Sequence, residues 1–256
     1  MSPSLCITAL DSAVSVRFSE LGSQPLVDAA TRAWSRCLGN LTASRTALPL
    51  DFRSQSGDTN LELMLAMQAL TQEVTQRLIA TQMGRLLLLH AGAVSHPVTG
   101  QSLVFVAPGG TGKTTLGCVL GRTYGYLTDE TVGIDDDGRI WPYPKPLSLR
   151  MPGGGPKREA SPDDLGLAGA HRAPTVKKVI VLSRPPSHSG PPVIQELDTL
   201  DAVQQMLPET SSLGKLPRPL ATLAALAEQG GPVLHCSYAE ADDLVALAGE
   251  LIGTVP

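Results

Sequence analysis

Ala107-Pro108-Gly109-Gly110-Thr111-Gly112-Lys113-Thr114 has the spacing of a phosphate-binding loop: Ala or Gly, four residues, then Gly-Lys and a hydroxyl residue. Glycines let backbone N–H groups turn inward onto phosphate oxygens, and a helix opening at the lysine adds a favourable dipole. Pro108, Gly109, Gly110, Thr111, Gly112, Lys113, Thr114 and Thr115 are therefore the expected nucleotide contacts. Lys113 would neutralise the terminal phosphates, and the Thr114 hydroxyl would face Mg2+. The bland alternative is a glycine-rich turn of no function, which the strand before and the helix after the loop disfavour.

A second acidic element follows closely. Asp129-Glu130 ends the short apolar run Tyr126-Leu127, much nearer the loop than the metal-holding carboxylate of most nucleotide hydrolases. Asp129 could share the metal or take a proton from an incoming hydroxyl. The alternative is a solvated turn. His90 follows Leu86 to Leu89, where a histidine is by itself more often a satisfied core residue. Lys145 and Arg150 could neutralise phosphate or an acidic substrate, or be ordinary surface positions, and Arg184 is a weaker candidate of the same kind. Asp135-Asp136-Asp137-Gly138 reads as a hairpin tip rather than a metal site.

The elements that would position these groups can be read from periodicity. Leu63, Met67, Leu70, Val74 and Leu78 recur at helical spacing and predict a helix over 60–82. Leu5 to Ala9 and Ala13 to Phe18 read as strands around Asp11-Ser12, and Leu26 to Leu38 as a helix. The runs Leu86 to Leu89 and Leu103 to Val106 have the length of buried strands, and a helix is expected from Lys113 to about Arg122. Thr131 to Ile134 pairs with Arg139 to Trp141, and Val179 to Leu182 resumes a buried strand. Residues 151–174 carry no lasting period and predict a mobile loop or lid. Strand 193–197, helices 200–207 and 220–229 and strand 233–236 follow, and Ser237-Tyr238-Ala239-Glu240 matches a capping box for a last helix. The expected fold is α/β: one domain over 1–256 with a mixed sheet around the loop, a strand and helix layer over 1–83 and a nucleotide-binding core over 84–256.

With these residues in place, the chain resembles the HPr kinase/phosphorylase family and its relatives of the phosphoenolpyruvate-carboxykinase-like fold. Four features carry the resemblance: His90-Ala91-Gly92-Ala93-Val94, the loop, Asp129-Glu130, and the segment Trp141 to Arg150. The last looks more like the shorter relatives associated with modified-peptide biosynthesis, including kinases of lasso-peptide precursors. The resemblance implies that Asp129 activates the acceptor hydroxyl and that His90 lies near that carboxylate and the terminal phosphate; the loop and the acidic pair themselves make Lys113 part of the catalytic group and Thr114, Asp129 and Glu130 the expected metal-facing residues. Gly109 stands where the family usually has Ser, Thr115 where it has an acid, and Glu130 where a second Asp is common. No element matches the family's downstream acidic and arginine signature of dephosphorylation, so the kinase direction is the expected one. The expectation is transfer from ATP with Mg2+ to a serine of a peptide or small carrier protein. The competing class is a non-catalytic nucleotide-sensing subunit of a biosynthetic complex.

Composition narrows the partners. The net charge of -4 and nine aromatic residues give no footprint for a nucleic-acid backbone and few platforms for base stacking. Cys6, Cys37, Cys118 and Cys236 form no CxxC pair, so buried thiols in a reducing compartment are expected. The start, Met1-Ser2-Pro3-Ser4, has no basic segment leading into an apolar one, and no run has the length of a membrane helix. A cytoplasmic protein without membrane partners is expected, and the family resemblance adds a homo-oligomer.

Overall fold

The computed structural model describes residues 3–18, 24–39, 47–53 and 59–255; Met1 and Ser2 of the start discussed above lie outside the described residues. In chain order the elements are β1 (Ser4–Ala9), β2 (Ser12–Phe18), α1 (Gln24–Ala33), β3 (Leu48–Phe52), α2 (Asn60–Gln82), β4 (Leu87–Ser95), β5 (Gln101–Val106) and α3 (Lys113–Leu120). There follow β6 (Gly125–Thr128), β7 (Thr131–Ile134), β8 (Ile140–Trp141), β9 (Leu147–Leu149), β10 (Arg158–Ala160) and β11 (Thr175–Ser183). The chain closes with β12 (Val193–Glu196), α4 (Thr199–Met206), β13 (Thr210–Ser211), α5 (Pro219–Glu228), β14 (Leu234–Ser237) and α6 (Leu244–Ile252). Two compact units result: Met1–Gln82 with Pro144–Gly166, and Met83–Tyr143 with Leu167–Pro256. The excursion 144–166 thus groups with the N-terminal elements, not with the loop that precedes it in sequence.

In the first unit β1 pairs antiparallel with β2, and β2 runs parallel to β3. The tight turn between β1 and β2 uses Leu10 and Asp11, both at positive φ, so it falls one residue earlier than the Asp11-Ser12 read from the sequence. The apolar stripe of α2 is real: Met67, Leu70, Val74 and Leu78 are buried. Residues 151–174, expected to be loose, contain the hairpin strand β10, which pairs with β9 around Gly153 to Gly155. Polar bonds tie this excursion to its unit. The Thr71 hydroxyl donates to Glu159 (3.3 Å), which Ser148 within the hairpin also bonds (2.7 Å), and Ser35 and Arg36 donate to Asp163 (2.5 and 2.7 Å). The Ser35 bond leads in holding the Asp163 carboxyl below its usual range.

The second unit is built on a nine-stranded mixed sheet whose main path is β12-β14-β11-β5-β4-β7-β8. β5, β11 and β14 are mutually parallel, while β4 runs antiparallel to β5. Alternation along β5 sends Val104 and Val106 to one face and Leu103 and Phe105 to the other. The first face is covered by Ala202 and Met206 of α4 and Leu223 and Leu226 of α5. The second is covered by Leu116 and Leu120 of α3 and Leu244, Leu247 and Ala248 of α6. Helices on both faces of a largely buried sheet are the α/β architecture expected from the sequence. The capping box before α6 lies at Glu240 and Asp243, three residues beyond the predicted one, because Tyr238 N–H still bonds the Ser183 carbonyl and prolongs the sheet.

Gly92 shows how tightly β4 is fitted. It pairs with Phe105, and a Cβ on Gly92 would come 2.0 Å from Phe105 Cε2, so the ring occupies the space a side chain would need. Gly92→Ala is expected to cost about 1–3 kcal/mol through forced displacement of that ring. Urea unfolding of the two proteins checks it, and an unchanged midpoint would mean that the strand shifts freely.

Candidate active site

The loop leaves the sheet where β5 ends at Val106 and reaches Lys113, the first residue of α3. Gly110 and Gly112 have φ of 87° and 108°, in the region that side chains rarely adopt, which is why glycine is needed at these two points. The first helical bond of α3 is Leu116 N–H to the Gly112 carbonyl, leaving the preceding loop N–H groups outside the ladder. The Thr111 hydroxyl donates to the Pro108 carbonyl (2.9 Å), and the Tyr238 hydroxyl donates to the Thr111 carbonyl (2.9 Å). Lys113 folds back along the loop, its ammonium donating to the carbonyls of Ala107 and Pro108. Only 6% of Lys113 is exposed. Burial lowers its pKa despite the opposing pull of the Glu209, Asp129 and Glu130 carboxylates.

Asp129 and Glu130 form the turn between β6 and β7. The Thr128 hydroxyl accepts the N–H groups of Glu130 (3.2 Å) and Thr131 (3.3 Å), which sets the direction of the turn. Asp129 is 4% exposed and accepts a bond from the Tyr126 hydroxyl (3.0 Å), so it is not a solvated turn residue. It packs on α3: a Cβ on Gly117, one helical turn after Lys113, would lie 3.5 Å from Asp129 Cβ. The same closeness reaches Cys118, whose thiol is pushed up to about 11, first by burial and then by the Asp129 charge.

His90 is half-buried on β4. Ala91 pairs with Val106, so His90 stands level with Ala107 at the root of the loop, and on its other edge it pairs with Thr131. Burial and the Lys113 charge push its pKa down, outweighing the Glu209 and Glu130 carboxylates and the bond to the Glu130 carbonyl. A neutral imidazole at pH 7 follows.

One residue of this group had no signal in the sequence. On the edge of β4 that pairs with β5 through Ala91–Ser95, β13 takes over, pairing Thr210 with Leu89 and Ser211 with Leu88. Where β5 departs into the loop, β13 occupies its line. Glu209, next before Thr210, is therefore level with His90, and its carboxylate is the largest charge opposing the burial of Lys113. A strand of two residues leaves no alternation to read, and Leu207-Pro208-Glu209 reads as an ordinary helix end.

The structure thus gathers Lys113, Asp129, Glu130, His90 and Glu209 around the start of α3, with Thr114 half-buried and Thr115 exposed on that helix. Lys145 and Arg150 fall in the other unit; Lys145 is 1% exposed with its ammonium on the Pro146 carbonyl, and Arg150 is exposed. Asp135 spends its carboxylate on the hairpin, accepting Asp137 N–H (3.1 Å), Arg139 N–H (3.0 Å) and Trp141 Nε1–H (3.1 Å). Among the described residues no group of three or more His, Cys, Asp and Glu side chains is arranged to hold a metal, and no helix is long and apolar enough to cross a membrane. Thr114, Asp129 and Glu130 carry hydroxyl and carboxylate oxygens, hard donors of the kind Mg2+ takes.

No family model matches the chain, and no curated protein matches it. Among solved structures it is similar to the HPr(Ser) kinase/phosphatase from Coxiella burnetii, at 14% sequence identity and a TM-score of 0.35, over 64% of this chain and 93% of that one.

Proposed function

We propose that the chain is a kinase that transfers a phosphoryl group from ATP, with Mg2+, to a serine hydroxyl of a peptide or small carrier protein. The observation that carries this reading is the buried Asp129, packed on α3 one turn from Lys113 and close enough for its charge to act on that lysine. A glycine-rich loop alone serves hydrolases and kinases alike; a shielded carboxylate beside its lysine supplies a proton acceptor for a hydroxyl.

The loop N–H groups hold the phosphate chain, and Lys113 offsets the charge that spreads over the transferred group. Thr114, Asp129 and Glu130 are the residues that would hold Mg2+, which would supply positive charge against the phosphate oxygens. Asp129 accepts the serine proton as the serine oxygen bonds to phosphorus and the bond from phosphorus to the ADP oxygen breaks. Neutral His90, bonded to the Glu130 carbonyl, orients the acidic turn.

The test is incubation with γ-labelled ATP and Mg2+ in the presence of serine-bearing peptides and of the small proteins encoded beside this chain. Label on a serine is the expected result. Release of inorganic phosphate at the full rate of ATP consumption, with every acceptor unlabelled, would make the protein a hydrolase instead.

A further inference from the structure

Asp129, Glu130, His90 and Glu209 lie on one flank of the loop, around β4 with β6, β7 and β13. That flank carries three carboxylates around Lys113, a surrounding that by itself repels a polyphosphate. The opposite flank is formed by β11 and β14, whose carboxyl ends open beside that of β5, where ligands bind in open parallel sheets. Val181 of β11 pairs with Val106 of β5, so the chain leaving β11 at Ser183-Arg184 emerges next to the loop.

Arg184 is held there from behind. Its Nε donates to the Ala239 carbonyl (2.7 Å), and Nη2 donates to both Glu240 oxygens (3.3 and 3.2 Å). Its guanidinium lies 5.9 Å from the ring centroid of Tyr238, the residue whose hydroxyl pins the Thr111 carbonyl. The remaining nitrogen, Nη1, is 3.8 Å from where a Cβ of Gly112 would stand, and that Cβ would come 3.0 Å from the Tyr238 hydroxyl. Gly112 therefore keeps open the space between the arginine and the loop. With 42% of its side chain exposed, Arg184 is fixed on one side and open on the other.

Resting on the phosphate-loop reading above, we propose that Arg184 is the second fixed cation of the polyphosphate site. Nη1 bonds a phosphate oxygen across Gly112, while Glu240, Ala239 and Tyr238 hold the fork in place. The site thereby gains a direction. The inner phosphates of a nucleoside triphosphate face Arg184 on the β11 flank, and the terminal phosphate faces Lys113 and Asp129 on the β4 flank. Arginine suits this role because its planar fork can be held by two nitrogens and still present a third.

Titration calorimetry of the full chain with Mg-ATP and, separately, with inorganic tripolyphosphate tests the assignment. Arg184→Gln is expected to weaken both by about ten-fold or more and by the same factor, the loss typical of one charge-assisted hydrogen bond. Arg184→Lys, which keeps the charge without the fork, is expected to recover part of that loss, a rescue that a merely structural role would not give. An unaltered thermal midpoint shows that each variant is folded. If the wild type binds both probes and Arg184→Gln binds tripolyphosphate equally well, the arginine has no phosphate role, and the loop reading stands. If the wild type binds neither probe, the loop reading itself fails and takes the proposal with it.

Discussion

Asp129→Asn is expected to lower phosphoryl transfer by about three orders of magnitude, within the range that a positioned general base supplies, while nucleotide affinity changes by no more than a few-fold. The asparagine keeps the volume that packs against Gly117 and retains an oxygen to accept the Tyr126 hydroxyl, so the fold should not register the change. What it loses is the capacity to take a proton, together with one negative charge toward the metal, for which Glu130 and the Thr114 hydroxyl would remain as donors. Single-turnover transfer from labelled ATP, measured beside a nucleotide-binding titration, separates the two effects. Transfer at the wild-type rate would remove Asp129 from the mechanism, whereas equal losses in binding and transfer would make it a binding residue only.

Lys113→Met is expected to weaken nucleotide binding about a hundred-fold, since the buried ammonium at the root of the loop is lost and three neighbouring carboxylates stay behind. The same variant carries a pH signature. Burial lowers the lysine pKa in the folded protein, so between that value and the ordinary 10.5 the unfolded chain holds the proton and the folded one does not. Unfolding free energy from this residue therefore rises with pH through that window and is flat below it, where both states hold the proton. Urea unfolding from pH 8 upward should show a shallower slope in Lys113→Met than in the wild type. An identical slope would mean that the lysine is hydrated in the fold, against its 6% exposure.

The parts of the site legible in the sequence were the local ones. The strand, loop and helix from Leu103 to Leu120 are contiguous, and each obeys a rule of short range: an apolar run, glycines where φ turns positive, a lysine opening a helix. The Asp135 hairpin was readable for the same reason. Glu209 was not, because its place comes from the register of a two-residue strand with β4, more than a hundred residues earlier in the chain. The burial of Lys145 was equally hidden: a lysine in a proline-rich segment looks like a surface residue, and only the return of 144–166 to the N-terminal unit covers it. The polar bonds across that return, Thr71 to Glu159 and Arg36 to Asp163, carry no periodicity. The last cap was misplaced by three residues because Ser237 and Glu240 satisfy the same pattern as Glu240 and Asp243, and the sheet bond of Tyr238 decides between them.

Lys113 gripping the carbonyls of Ala107 and Pro108 turns the segment between them into a closed ring with its own clasp. A floppy glycine-rich stretch would have to surrender its freedom each time a guest arrived, a toll of roughly 1–2 kcal/mol for every residue stilled. Here the two bonds of Lys113 restrict that freedom before any encounter. Arrival becomes a matter of exchanging oxygens around one ammonium, so the rate of capture should be set by diffusion and charge, with little waiting for the loop to find its shape.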